Sequence, residues 1–397
     1  MSPARCLCAP IAVLALLAAG LVGAQTFDAD TPVLAAPDAA ARPVAQARGG
    51  AAVRVLRRQG FWLEVESGSA RGWVRISAVR LATTSTTLAM DTGRLGANNI
   101  VATSAARSVS AKDLIEGRSD DQAVERLIAF RADATQLAQF AQAGALVDVR
   151  FAPLGPPLAA PAATSEPAPS RPSEDSIGRL WVARIMGVAP LHPSQDLQRY
   201  VNLLGGHLAS RVDNTRTWRF GILDTDAVNA FAAPGGVVLV TAGLLRQLSS
   251  EDELAAVLAH EIAHVAREHH YQVILRARQS ETVVRGLRPD PGLSRASAQL
   301  YTRGLERASE HEADLVGVQL MARAGYDPSA FLSVLEKLDA LGTADPRVVL
   351  FASTHPPARE RMDALARAGI ERLPLPAASA PARGTRFAGV VRAALNP

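Results

Sequence analysis

The chain has 397 residues, 48% hydrophobic and 20% charged, which is ordinary globular usage and excludes a wholly disordered or coiled-coil protein. Its 42 basic and 38 acidic residues leave a formal charge of +4. That excess is scattered rather than gathered into one patch, which argues against nucleic acid as a partner.

Residues 1–24 read as a signal peptide: Arg5 gives a positive start, Leu7 to Val22 is apolar, and Val22-Gly23-Ala24 sets small residues before Gln25. An uncleaved membrane anchor is the alternative. Cys6 and Cys8 are the only cysteines, so cleavage would leave no disulfide, no thiolate-held metal and no cysteine nucleophile. No later stretch is long and apolar enough to span a bilayer. A protein secreted across an inner membrane, periplasmic and without a transmembrane span after cleavage, is expected.

Residues 25–50 are rich in Ala, Pro and Gly, the composition of a flexible lead-in. Over 51–82 the alternation at Val53 and Val55, then at Phe61, Leu63 and Val65, predicts short strands of a small β-barrel. Trp62-Leu63-Glu64-Val65 followed by Gly72-Trp73-Val74 resembles bacterial SH3-like domains. Arg54, Arg57, Arg58, Arg71, Arg75 and Arg80 stand against Glu64 and Glu66 there, a local 6 − 2 = +4. The resemblance implies either contact with cell-wall polymer or a structural cap on the rest of the chain.

Residues 83–151 form a small α/β segment to which no chemistry is assigned. Residues 83–100 are loop-like, and Ser119 with Gln122 predicts a capped helix. A second helix is expected from about Asp133 to Gly144, and a strand over Leu146 to Phe151. Residues 152–173 hold seven prolines and read as a semi-rigid linker at a domain boundary. From 174 to 373 the pattern is mostly helical, with helices at 174–187, 195–211, 251–278, 293–324, 329–341 and 358–368. Strands are expected at Thr217–Leu223 and Val237–Thr241. Residues 374–397 read as a tail. The fold class is α+β: a mainly helical domain with a small sheet, preceded by the small barrel.

The chemistry centres on His260-Glu261-Ile262-Ala263-His264. Ser250 and Glu253 predict a capping box at the start of that helix. Residues four apart on a helix differ by about 40° in direction and about 6 Å in height, so both imidazoles can face one ion. Glu261 can then reach a water at an open coordination position, as in catalytic zinc sites. An exposed amphipathic helix that happens to carry two histidines is the bland alternative. Six of the eight histidines lie between 260 and 355, which favours a metal.

A third ligand is needed. His270 has the spacing of the metzincin pattern. However, Arg267 stands where that pattern has a helix-breaking glycine, so a continuing helix would carry His269 and His270 away from the ion. Glu310, on the next long helix, is the better candidate. Asp314, one turn on, can hold a ligand histidine by its second nitrogen, and Gly317 permits close helix approach. His311 and Glu312 are weaker candidates.

In chain order, Asn229 to Gly236 (Asn-Ala-Phe-Ala-Ala-Pro-Gly-Gly), Gly243-Leu244-Leu245, His260 to His264, the Glu310 to Asp314 spacing and Thr354-His355-Pro356 carry a resemblance. Roughly residues 175–370 resemble the HtpX/BepA-like gluzincin metallopeptidases, related to the CAAX prenyl endopeptidases. The resemblance implies one Zn2+ per chain held by His260, His264 and Glu310, with Glu261 as general base and Asp314 supporting the site. It places His355 near the metal, either stabilising the oxyanion or capping the ion in a resting state. It also implies that strand Val237–Thr241 borders the cleft, where an extended substrate could add to its edge. The membrane spans of HtpX-type members and the helical repeats of BepA-type members are not visible, so their substrate delivery does not transfer.

The expected function is that of a zinc endopeptidase cutting unfolded or misassembled cell-envelope proteins. An envelope chaperone with a capped zinc site and a peptidoglycan-peptide hydrolase are the rivals. Serine-hydrolase and P-loop signatures are absent.

Overall fold

The computed structural model describes residues 25–80, 118–154, 174–212, 216–276, 305–342, 347–348, 354–376 and 381–395. The expected signal peptide, the 83–100 loop, most of the Pro-rich linker and the helix expected before 305 lie outside the described residues.

The N-terminal strands are β1 (Thr26–Phe27), β2 (Thr31–Leu34), β3 (Pro43–Ala47), β4 (Arg54–Gln59), β5 (Trp62–Ser67), β6 (Ala70–Arg75) and β7 (Val79–Arg80). Five of them form one sheet in the order β3-β2-β6-β5-β4, and β1 pairs with β7. This corrects two expectations. Residues 25–50 are not a flexible lead-in but supply three strands, and no closed barrel forms among the described residues. Composition hid the strands because proline depresses strand propensity. Pro43 is tolerated as the first residue of the outer strand β3, where its missing N–H breaks no inner ladder.

Helices α1 (Asp121–Ala129) and α2 (Ala134–Ala143) follow. The side chain capping α1 is Asp120, one residue after the expected Ser119, and Asp133 with Gln136 closes a capping box on α2. Residues 146–150 pair as no strand. Then come α3 (Glu174–Val188), α4 (Gln195–Ala209), β8 (Arg219–Leu223), β9 (Ala230–Ala233), β10 (Val237–Thr241) and a short α5 (Ala242–Leu245). The sheet order is β8-β10-β9, with β10 parallel to β8 and antiparallel to β9. Gly235 and Gly236, at φ +82 and +92, make the β9–β10 turn that side chains would resist. Strand β10 is therefore central and buried along its whole length. The expected substrate-accepting edge cannot lie on Val237–Thr241, because both its sides are taken.

The remaining helices are α6 (Glu251–Ala266), α7 (Arg307–Arg323), α8 (Ala330–Leu341), α9 (Ala358–Ala368) and α10 (Pro381–Phe387). A π turn carries α10 on to Ala393–Leu395. Residues 381–395, within the expected tail, are thus helical. Arg386 is bidentate on the buried Glu251 at 2.7 and 2.5 Å, and Arg383 lies 3.6 Å from Asp252. The C-terminal helix so holds the first turn of α6.

The N-terminal sheet docks on α8 and α9. Arg58 donates to Ser329 O and Ser333 Oγ, Arg359 donates to Ser77 O at 2.7 Å, and Arg75 pairs with Glu371 at 2.8 Å. Arg54 pairs with Glu66, Arg57 and Arg71 with Glu64, and Arg80 with Asp28. All six arginines behind the local positive excess are engaged inside the molecule.

Glu336 of α8 sits at this junction, its side chain 17% exposed and 4.0 Å from Arg58. Burial pushes its carboxyl up to about 7, against the pull of Arg58, from an ordinary 4.5. The folded state therefore holds a proton that the unfolded state has released, and its contribution is present below pH 4.5 and lost as pH rises through 7. Glu336→Gln should raise the melting temperature more at pH 8 than at pH 4.5. Equal shifts at both pH values, read by circular dichroism, would refute this account.

Candidate active site

Helix α6 is buried on every side from Glu251 to Val265, so it is a core element and not an exposed amphipathic helix. Ser250 Oγ caps it by accepting from Glu253 N at 3.2 Å, and Glu251, Asp252 and Glu253 complement the helix dipole. Its last two turns carry His260, Glu261 and His264. Helix α7 packs directly across them because of Gly317: a Cβ there would stand 3.1 Å from His260 N.

That approach delivers Glu310. Its Oε1 lies 3.4 Å from His264 Nε2, and its Oε2 lies 3.7 Å from His260 Nε2 and 3.8 Å from His355 Nε2. The His260 and His264 imidazoles face each other, Nε2 to Nε2, at 3.0 Å. One donor atom from each of His260, His264, Glu310 and His355 lies within 4.8 Å of all the others.

These groups fit a divalent cation. Burial depresses both imidazoles below their ordinary value and raises the Glu310 carboxyl to about 8. Neutral imidazoles with facing lone pairs, and a carboxyl oxygen buried without a hydrogen-bond partner among the described residues, are satisfied together by a positive ion. The nitrogen and oxygen donor set suits zinc.

Asp314 stands one turn beyond Glu310 and accepts from His260 Nδ1 at 2.9 Å. It also takes a bidentate pair from Arg361 of α9, at 2.9 and 2.6 Å. Burial would raise the Asp314 carboxyl, but Arg361 and His260 hold it far below the usual carboxylate range. Arg361 Nη2 also lies 3.3 Å from His260 Nδ1. The shorter contact assigns the Nδ1 proton to Asp314, which leaves the Nε2 lone pair facing the donor cluster.

Glu261 is buried, and burial pushes its carboxyl to about 8. It and His260 border a cavity of about 30 Å³ whose far wall is Phe331, Val334, Leu335 and Leu338, one face of α8. The opposite face of α8 meets the N-terminal sheet at Ser329 and Ser333.

The helix carrying the histidines does not continue to 278. It stops at Ala266, Glu268 turns left-handed at φ +57, and a new helical segment runs over 269–276. His269 therefore returns to within 3.0 Å of His264, Nδ1 to Nδ1, and the His270 ring centroid lies 5.3 Å from that of His264. The expectation that both would be carried away fails because the break needs no glycine. His311 points to Glu360, and Glu312 to Arg267 and His269. Neither joins the donor cluster. Arg361 was not anticipated: nothing in Ala358-Arg359-Glu360-Arg361 separates the arginine that enters the site from Arg359, which binds the N-terminal sheet.

Comparison with known proteins finds similarity over the segment that carries these residues. Residues 192–368 match the model of Peptidase family M48. The Escherichia coli K12 beta-barrel assembly-enhancing protease is 33% identical over 207 residues, 48% of this chain and 42% of that protein. The mitochondrial metalloendopeptidase OMA1 of Schizosaccharomyces pombe is 37% identical over 150 residues, 36% of this chain and 44% of that protein. The chain spans less than half the length of these curated relatives. Residues 192–368 are thus similar to peptidase family M48, and the HtpX/BepA-like gluzincin resemblance read from the sequence is supported.

Proposed function

We propose that the protein is a zinc-dependent metalloendopeptidase of the cell envelope, exported to the periplasm, which hydrolyses unfolded or misassembled envelope polypeptides. The observation that carries this is the buried donor cluster beside Glu261. The relatives named as a beta-barrel assembly-enhancing protease and as OMA1 metalloendopeptidases support quality control as its setting.

In this reading His260, His264 and Glu310 hold the ion. Bound there, zinc supplies Lewis acidity, acidifying water and polarising the scissile carbonyl. Glu261 accepts the proton of the attacking water and returns it to the leaving amine. Burial makes it a stronger base than an exposed carboxylate, and the nearby Arg361 charge works the other way, favouring its ionised form. Asp314 fixes the tautomer of His260, and Arg361 balances the charge of Asp314. The apolar α8 wall favours an aliphatic substrate side chain beside the cleaved bond.

His355 acts as a cap in the resting state. Its Nε2 sits inside the donor cluster, where a fourth protein ligand would close the position that catalytic zinc sites keep open. A chaperone with a permanently capped site is the second reading that this observation favours. Cell-wall contact through the N-terminal sheet, and with it peptidoglycan hydrolysis, has less support, because the arginines there are already paired.

The test is incubation of the purified protein with an unfolded casein-like polypeptide. Fragmentation is expected, stopped by 1,10-phenanthroline and restored by Zn2+, and faster in His355→Ala. Persistent fragmentation under the chelator would exclude the zinc mechanism. Silence from both wild type and His355→Ala, with zinc bound, would favour the chaperone reading.

A further inference from the structure

His269 and Glu312 stand outside the donor cluster, yet His269 meets His264 on the side turned away from it and Glu312 meets His269 in turn. On an unbroken helix, residues five apart point about 140° from each other, so His269 could not reach His264. The left-handed Glu268 makes the contact possible. A residue with a side chain is disfavoured in that conformation, so something must hold it. The Glu268 carboxylate accepts from Arg216 at 2.8 Å, and Arg216 is also paired with Glu174 of α3 at 3.0 Å.

The result is a chain of three groups. His264 Nδ1 lies 3.0 Å from His269 Nδ1, and His269 Nε2 lies 3.2 Å from Glu312 Oε2. Arg267 Nε donates to the other Glu312 oxygen at 2.5 Å.

The proton positions follow from the donor cluster. His264 Nε2 faces His260 and Glu310 and must keep its lone pair for an ion. Its proton is then on Nδ1 and is donated to His269. His269 Nδ1 must be the acceptor, so the His269 proton is on Nε2 and is donated to Glu312. His260 leans directly on the Asp314 carboxylate, whereas His264 leans on a carboxylate one imidazole away.

We propose that His269 and Glu312 are positioning residues for His264, fixing its tautomer and ring orientation through this relay and making Nε2 a better ligand. The proposal rests on the zinc reading above. Glu312 is two residues from Glu310 on α7, so one helix carries both a ligand and the anchor of the relay.

The test is Zn2+ affinity by chelator competition, with the melting temperature of the metal-free protein as control, on the whole chain. His269→Phe fills the space without polar atoms and should weaken Zn2+ binding about tenfold to a hundredfold. His269→Gln, whose amide both accepts and donates, should recover most of that loss at an equal metal-free melting temperature. Glu312→Gln should weaken binding by a smaller factor.

Affinity within about twofold of wild type in His269→Phe overturns the proposal, since such outer partners are worth far more. So does a loss that His269→Gln fails to recover, which would mark a packing role. If His269→Phe does not fold, wild-type affinity in Glu312→Gln overturns it alone. Failure of the wild type to bind Zn2+ is a different outcome and refutes the zinc reading itself.

Discussion

Glu261→Gln should lower the cleavage of an unfolded polypeptide by about 10²–10⁴-fold, the usual weight of a positioned general base, while zinc binding persists. The two expectations come from different atoms. Glu261 is outside the cluster formed by His260, His264, Glu310 and His355, so removing its charge leaves every donor in place. It lines the cavity beside His260, so removing its basicity removes the group that takes the proton from water. The fold has no need of this carboxylate, because burial works against its ionisation. The variant should therefore melt at or above the wild-type temperature. His264→Ala should behave in the opposite way, losing the metal first and activity as a consequence. Rates on a casein-like substrate and bound zinc by elemental analysis separate the two. Wild-type cleavage by Glu261→Gln would remove Glu261 from the mechanism, and loss of zinc from it would mean that the donor set has been misassigned.

The parts of the site legible in the sequence were those carried by helical spacing. His260 and His264 are four apart, Glu310 and Asp314 are four apart, and Gly317 marks a close approach; each needs only the helix period to be placed. The parts that were not legible depend on tertiary context. The end of α6 at Arg267 is set by Arg216 and Glu174, which are distant in sequence, and no local breaker announces it. Arg361 and Arg359 are chemically identical in the sequence, and they differ only in which neighbour α9 turns each of them toward. The strands within residues 25–50 are hidden by composition, since Ala and Pro report poorly on a sheet whose register is set by partners further along the chain, whereas those over 51–82 are legible from their alternation. The six arginines seemed to make a basic face because a charge count cannot see that their acceptors include Ser329 O and Glu371.

Arg361→Met should be the most destabilising single change near the site, by about 3–5 kcal/mol at pH 7, the cost of leaving one member of a buried pair without its partner. The Arg361 and Asp314 side chains are 3% and 1% exposed, so water cannot replace the lost guanidinium. Asp314 accepts two hydrogen bonds from it, and the third, from His260, is too little to hold a buried carboxylate ionised. The sign of the pH dependence follows. In the wild type Asp314 is held below its ordinary value of 3.8, so it contributes stability above pH 3.8 that is lost as pH falls through the folded value. In the variant burial prevails and that contribution is missing. The deficit against wild type should be largest near neutral pH and shrink toward pH 3.8. Adding Asp314→Asn to Arg361→Met removes the stranded charge and should recover part of the loss, a coupling that a double-mutant cycle measures. Denaturant unfolding of the metal-free proteins gives all four corners of that cycle. If Arg361→Met unfolds within about 1 kcal/mol of wild type at pH 7, outside the range for broken buried pairs, Asp314 has another means of support and the guanidinium is not what keeps it charged beside His260.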